Sequence, residues 1–221
     1  MYVILASNSP RRRELLTLLG LDFIIVPANV DEITIPGESA FEYVARLASA
    51  KAIWVRDHSD SNAVIIAADT TVADGDQILG KPSNDKEAEQ MLRQLRGRVH
   101  KVYSSVVLSR NDDVITQVCV TEVPLRCYSD DEIQRYIKTR DPMDKAGAYA
   151  IQNAEFHPVE SLHGCYANVM GLPLCHLSRA LSRVDVIHNS DIAERCQDKI
   201  GYECPVFSEI LSTPITGKEQ P

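Results

Sequence analysis

Apolar and polar positions along this chain alternate between two periods, and the switches between them mark its elements. Residues 2–6, Tyr-Val-Ile-Leu-Ala, are a continuous apolar run with β-branched members, which predicts a buried strand. Leu15, Leu16, Leu18 and Leu19 then recur at helical spacing and predict a helix over 10–19. Ser9 is placed to cap it, Pro10 to open it and Gly20 to stop it. Residues 23–26 read as a second strand, and Phe41, Val44, Leu47 and Ala48 put one apolar face on a helix over 39–55. Residues 63–68 are apolar throughout except for their flanks, and they run into Asp69-Thr70-Thr71-Val72, which predicts a buried strand with polar groups at its end. A turn at Gly80-Lys81-Pro82 precedes a helix over 85–95. Two strands follow, 101–109 and 114–125, joined as a hairpin by 110–113. Ser129 caps a helix ending near Arg140, where Asp141-Pro142 breaks it. Residues 145–152 form a glycine-containing segment, and 169–174 lead into an amphipathic helix through Leu181. From Asn189 the pattern loosens, and 213–221 read as a disordered tail. The order predicts one α/β domain over 1–188, built on a mixed twisted sheet with flanking helices, and a C-terminal extension over 189–221.

Bulk properties narrow the classes of partner. With 221 residues, 44% hydrophobic and 24% charged, the chain can bury a substantial core. A net charge of −8 argues against nucleic acid or an anionic membrane as partner. No stretch approaches the ~20 apolar residues of a membrane helix. No charged segment precedes an apolar signal core, so a cytoplasmic location is expected. The six cysteines form no CxxC pair, and reduced, mostly buried thiols are the plain expectation. A sharper reading gathers Cys165, Cys175, Cys196 and Cys204 on a metal, although their spacings match no compact zinc pattern.

The candidate chemistry starts at Ser7-Asn8-Ser9-Pro10-Arg11-Arg12-Arg13. Helix N-termini favour anions, and hydroxyls and guanidiniums beside one sharpen that preference. Arginines are disfavoured at the positive end of a helix dipole, so their presence points to an anionic ligand, and the acidity of the whole chain points to a small one. Asp69, at the predicted end of a buried strand, could hold a divalent metal or take a proton from water; it could equally cap the next turn. Glu32, in the loop after the second strand, is a carboxylate that could share the metal. Lys51 falls late in an amphipathic helix, the usual setting of a snorkelling surface lysine. Lys81 sits in a stiffer Gly-Lys-Pro turn, and Lys145 lies among small residues that let a backbone approach a ligand or pack tightly. GxxxxGK[ST] and GxGxxG are both missing, so P-loop and Rossmann assignments lose their main support. Cys165 has His163 two residues away, a nucleophile pair only if the backbone distorts; a buried thiol is the commoner outcome. His157, His176 and His188 lack ligand spacing and read as ordinary polar residues.

In their order along the chain, LASNSPRRRELLTLLG (5–20), VDE (30–32), RLASAKA (46–52), AADTTV (67–72), ILGKP (78–82), DKAGAYAIQ (144–152) and NVMGLPL (168–174) resemble the Maf family of nucleoside triphosphate pyrophosphatases. The likeness runs from residue 2 to about 182. It implies a fold related to the inosine triphosphatase group, with two lobes around a deep cleft, and often a homodimer. It also implies hydrolysis of a nucleoside triphosphate to monophosphate and pyrophosphate, with a divalent metal such as Mg2+ or Mn2+. By the family pattern Asp69 is the proton acceptor, while Arg11, Thr70 and Gln152 bear on substrate choice. Ser7, Ser9, Arg12, Lys51 and Lys81 match positions lining the triphosphate site, and Glu32 joins Asp69 on the metal side. The DKAGAY.IQ form resembles the branch acting on dTTP and UTP, a house-cleaning activity against excess or modified pyrimidine nucleotides. Ala150, Asn153-Ala154-Glu155, Ser104-Ser105 and Cys165 depart from the family pattern on the base-recognition side. A competing class is a nucleotide-binding regulator of septum formation with little turnover; retention of Asp69, Lys81 and Glu32 together weighs against it. A third is a metal or redox module on the late cysteines.

Overall fold

Local sequence and chain connectivity set the sheet. The computed structural model describes residues 2–59, 62–111 and 113–215. Strand β1 (Tyr2–Leu5) feeds helix α1 (Pro10–Thr17), which returns the chain to β2 (Phe23–Ile25); α2 (Ala40–Asp57) then crosses back to β3 (Ala63–Asp74). Such helical crossovers give parallel pairs, and β1 is hydrogen-bonded in parallel to both β2 and β3. A two-residue turn, Gly75-Asp76, with Gly75 at φ 60°, folds β4 (Gln77–Leu79) back antiparallel onto the end of β3. After α3 (Asp85–Leu95), the long hairpin of β5 (Val99–Arg110) and β6 (Asp113–Pro124) completes a mixed sheet of order β2-β1-β3-β5-β6. Then come α4 (Asp130–Lys138), α5 (Tyr166–Met170), α6 (Leu174–Arg183), α7 (Ile192–Ile200) and α8 (Phe207–Ser212).

The expected α/β architecture is present, with one correction that matters for the site. Strand β3 does not stop at Ala68. It runs on to Asp74, because Thr70, Thr71 and Val72 are β-branched and β5 pairs with it from Ile65↔Ser109 to Ala73↔Lys101. Its other edge behaves differently. There β1 ends at Leu5, opposite Ile66, and pairing with β4 begins only at Val72, opposite Leu79. Between those points the backbone of 67–71 has no strand beside it, so Asp69 is mid-strand on one side and past a strand end on the other.

The core divides at the same place. Leu5, Leu16, Ile66, Leu108, Leu177 and Ile192 belong to one buried cluster under α1, α6 and α7. Val72, Leu92, Val102, Tyr128, Ile133 and Phe156 belong to another, under α3 and α4. A third packs α2 through Ala48, Ala52 and Val55 against the opposite face. The long strands pass through successive clusters, with Asp69–Thr71 between them, and this is the physical basis of two lobes around a cleft. Helices α7 and α8 were not foreseen: Ile192 is fully buried, and Cys196 and Ile200 pack against the first cluster. Of the expected tail, residues 213–215 carry no helix or strand, and 216–221 lie outside the described residues.

Candidate active site

A cleft of about 760 Å³ opens along the unpartnered edge of β3. The start of α1 forms one wall. Ser9 caps the helix, accepting from the Arg12 amide at 3.4 Å, and Ser7 Oγ accepts from the Ser9 amide at 3.2 Å. Arg12 reaches across to β3 and donates to Ala68 O (2.8 Å), Thr70 Oγ1 (3.0 Å), Ser7 Oγ (3.3 Å) and Gly171 O (2.8 Å). Four of its five N–H groups are thereby spent on tying the α1 loop, β3 and the α5–α6 turn together. Arg12 acts as a brace between these three segments. Arg11, one residue back, points across the cleft to Asp144 at 3.3 Å, and Arg13 is exposed.

The floor is built from α2 and β3. Tyr43, Leu47 and Lys51 recur every fourth residue on the buried face of α2, so Lys51 is turned inward and is not the snorkelling surface lysine its position suggested. Its ammonium bonds Asp69 Oδ1 at 2.6 Å and Glu32 Oε1 at 2.5 Å, and Lys81 approaches Glu32 at 3.6 Å. Burial pushes the Asp69 carboxyl above its usual range; Lys51 and Arg12 oppose the shift but do not cancel it. Burial would also raise Glu32, but there the hydrogen bond and charge of Lys51, with Lys81 and Arg12, outweigh it and leave Glu32 low. Two carboxylates on one lysine are thus pushed apart in proton affinity, the arrangement that separates a proton acceptor from a permanently charged partner.

Every site residue read from the sequence lines this cleft: Ser7, Ser9, Arg11 and Arg12 on the α1 wall, Glu32, Lys51, Asp69 and Thr70 at the floor, Lys81 and Gln152 toward the second lobe. Thr70 is not free to roam, since its hydroxyl also pairs with Ser104 Oγ at 2.8 Å, and Ser104 donates to Asn168 O at 2.9 Å. Tyr43 went unremarked in the sequence. Its hydroxyl donates to Glu32 O at 3.1 Å, and burial beside Asp69 and Glu32 pushes it up to about 12. Its spacing from Lys51 on α2 was the available signal.

Gly171 closes the α1 wall at φ 106°, and a Cβ there would lie 3.3 Å from Thr70 Oγ1 and 3.4 Å from Arg12 Nε. Gly171→Ala is therefore expected to cost about 1–3 kcal/mol. Urea unfolding checks this; a variant as stable as wild type would refute the close-approach argument.

All six cysteines are free thiols and five are buried or partly buried, as expected, but the metal reading of the late four needs correction. Among the described residues no group of three or more His, Cys, Asp or Glu side chains is placed to hold a metal ion. Cys165, Cys175, Cys196 and Cys204 instead border a small apolar cavity with Ile200 and Phe207, all as free thiols. Cys165 lies at the start of α5, not on a strand, and its thiol meets Cys119 while His163 is exposed. Cys165 and His163 therefore form no pair among the described residues.

Fold and cleft together define a class: two-lobed mixed-sheet α/β proteins whose cleft joins a cationic, helix-capped wall to a buried carboxylate. Within that class the chain belongs to the Maf family, whose model, described as "Maf-like protein", matches residues 2–184. A protein of Clostridium botulinum (strain Eklund 17B / Type B) named dTTP/UTP pyrophosphatase is 46% identical over 184 residues, covering 82% of this chain and 98% of that one. A protein of Dictyoglomus thermophilum with the same name is 46% identical over 186 residues, 82% of this chain and 95% of that one. Among solved structures, a nucleoside-triphosphatase / dITP/XTP pyrophosphatase from Mycobacterium abscessus aligns at TM-score 0.40 and 13% identity, over 84% of this chain and 99% of that one. That likeness is too loose to argue from.

Proposed function

We propose that this protein hydrolyses nucleoside triphosphates, dTTP and UTP foremost, to the monophosphate and pyrophosphate. The observation that carries the reading is the buried Asp69–Lys51–Glu32 cluster at the foot of a cationic cleft. The kinship with relatives named dTTP/UTP pyrophosphatase supports the substrate class.

In this reading the triphosphate, with about four negative charges, lies against the α1 amides, Ser7, Ser9, Arg11, Lys51 and Lys81. Asp69 accepts a proton from a water aligned with the α-phosphorus, and the water oxygen displaces pyrophosphate in line. The proton affinity that burial gives Asp69 suits that task. Arg12 and Thr70 hold the wall in register, and Gln152 offers both a donor and an acceptor to a pyrimidine edge. A divalent metal fits the donor set: Asp69 and Glu32 already converge on one cation, and hard carboxylate oxygens are what Mg2+ or Mn2+ prefers, so these two residues would hold it. When bound it would offset phosphate charge and stabilise the leaving pyrophosphate.

Purified protein with Mg2+ and a nucleotide panel is expected to release pyrophosphate from dTTP and UTP. Release of orthophosphate would point to another hydrolase mechanism, and tight binding without turnover across several metals would favour the regulator. A pure binder has no use for a buried carboxylate paired to a buried lysine, which is why that alternative is not favoured. The reading further takes the chain as a cytoplasmic homodimer without nucleic acid or membrane partners, in keeping with its −8 charge. No helix among the described residues is long and apolar enough to cross a membrane.

A further inference from the structure

The reaction just described leaves unused a set of hydrogen bonds at the base end of the cleft. Two single 3-10 turns follow α4, at Asp141–Asp144 and Ala146–Ala148, and the ammonium of Lys145 is buried beside them. It donates to Asp141 O at 2.6 Å and Asp144 Oδ1 at 2.5 Å, and it pairs with Asp141 Oδ1 at 2.8 Å. Three N–H donors meet three acceptors, so Lys145 lines the cleft with nothing left for a phosphate. Asp141 is the hub. Its Oδ2 accepts from Tyr136 OH at 2.7 Å and from Asn153 Nδ2 at 3.0 Å. The Tyr136 oxygen in turn accepts from the Ala150 amide at 2.9 Å, two residues before Gln152. In the other direction Asp144 Oδ2 accepts from Arg11 on the α1 wall. One chain of contacts therefore joins the arginine at the polyanion end to the loop at the opposite end.

Resting on the reading of the cleft as a nucleoside triphosphate site, we propose that Lys145, Asp141 and Tyr136 are positioning residues that set loop 150–152 against the triphosphate grip and so govern selectivity among bases. None of the three needs to touch the substrate. The loop carries little regular structure of its own; Ile151 is buried in the second core cluster, and the Ala150 amide on the Tyr136 oxygen is its polar tie to the Asp141 hub. An error of about 1 Å at such a contact is enough to cost on the order of a hundredfold in a positioned reaction. The Tyr136 ring is stacked on Phe156, centroids 4.1 Å apart and 9° from parallel, so packing holds the ring while the bond to Asp141 aims its hydroxyl at the loop.

That stack makes Tyr136→Phe the decisive variant: it removes one oxygen, keeps the ring and leaves the cleft lining and every charge untouched. The measurements are kcat/KM for UTP and for ATP, and the Ki of inorganic tripolyphosphate as a base-free competitor. The UTP/ATP ratio is expected to fall by about tenfold or more. The tripolyphosphate Ki should stay within about twofold of wild type, since the triphosphate grip is intact. Lys145→Met, which unties both carboxylates, should lower the ratio at least as far. An unchanged ratio in both variants overturns the proposal. So does a Tyr136→Phe variant whose tripolyphosphate Ki rises in step with its KM for UTP, because that marks a general loosening. If wild-type protein releases no pyrophosphate from any nucleotide, the proposed activity fails by itself, and the same ratios taken from dissociation constants still decide the positioning role.

Discussion

Asp69→Asn is expected to lower turnover of dTTP or UTP by about a thousandfold while melting at or above the wild-type temperature at neutral pH. The first half follows from the proton-acceptor role proposed for it, worth about 10²–10⁴ in rate. The second follows from burial. Asp69 is 5% exposed, and its proton affinity is raised above the usual carboxylate range, so folding favours its neutral form. The sign is definite. A carboxyl with a raised folded pKa adds stability at acid pH, and that contribution is lost as pH climbs from about 4 through the folded pKa. At pH 7 the wild type bears the cost of a buried charge that the amide does not. Catalysis runs the other way, since only the ionised form accepts a proton, so kcat/KM should fall as pH drops through a value above the ordinary Asp range. Activity and stability thus titrate in opposite directions through one group. A pH–rate profile and thermal melts at pH 5 and 7.5 test both halves. Near-normal turnover would remove Asp69 from the chemistry, and a melting point well below wild type at pH 7.5 would show the carboxylate to be structural.

How far the sequence displays this site depends on the length scale of each signal. The start of α1 was legible to the residue, because Ser9 and Pro10 are local signals and their effect is local, while the helix ends at Thr17, before the expected stop at Gly20. The parallel and antiparallel halves of the sheet followed from helices in one half and a hairpin in the other. The end of β3 was misjudged because apolar periodicity reports burial, and a strand can continue through polar β-branched residues when a neighbour pairs with them. What exposes Asp69 is the early end of β1, a property of another strand. Lys51 shows the same limit. Its helix was plain, but the inward direction of one lysine depends on carboxylates 19 residues before it and 18 after it. Helices α5, α7 and α8 are short, at five, nine and six residues, and only α5 ends in a glycine already prominent in a motif. Their stability comes from the core they cover and not from their own periodicity. The bracing role of Arg12, a cation spent on backbone oxygens, lies wholly in tertiary contacts.

Lys51→Met should produce the largest stability loss of any single change at the site, about 3–5 kcal/mol at neutral pH. The Lys51 side chain is 10% exposed and the Asp69 side chain beside it 8%, so removing the ammonium leaves a buried carboxylate with its nearest counter-charge gone. Methionine fills much the same volume and keeps the helix, which confines the effect to the charge. Both carboxylates then drive the pH dependence the same way. Without Lys51 the Asp69 pKa rises further, and the variant loses stability as pH rises from about 4 through that higher value. Glu32 is held low in the wild type partly by Lys51, and that contribution, present above its unfolded pKa, disappears as pH falls. The gap between wild type and variant should therefore be widest near pH 7.5 and narrow toward pH 5. Urea unfolding at the two pH values measures it, and a gap independent of pH would mean that the lysine acts through its methylenes and not its charge. Turnover should fall as well, by about a hundredfold or more, if the same ammonium meets the phosphate chain as proposed. If the variant instead keeps its rate while losing stability, Lys51 serves only to make a buried carboxylate tolerable, and the cationic work of the cleft passes to Arg11 and Lys81.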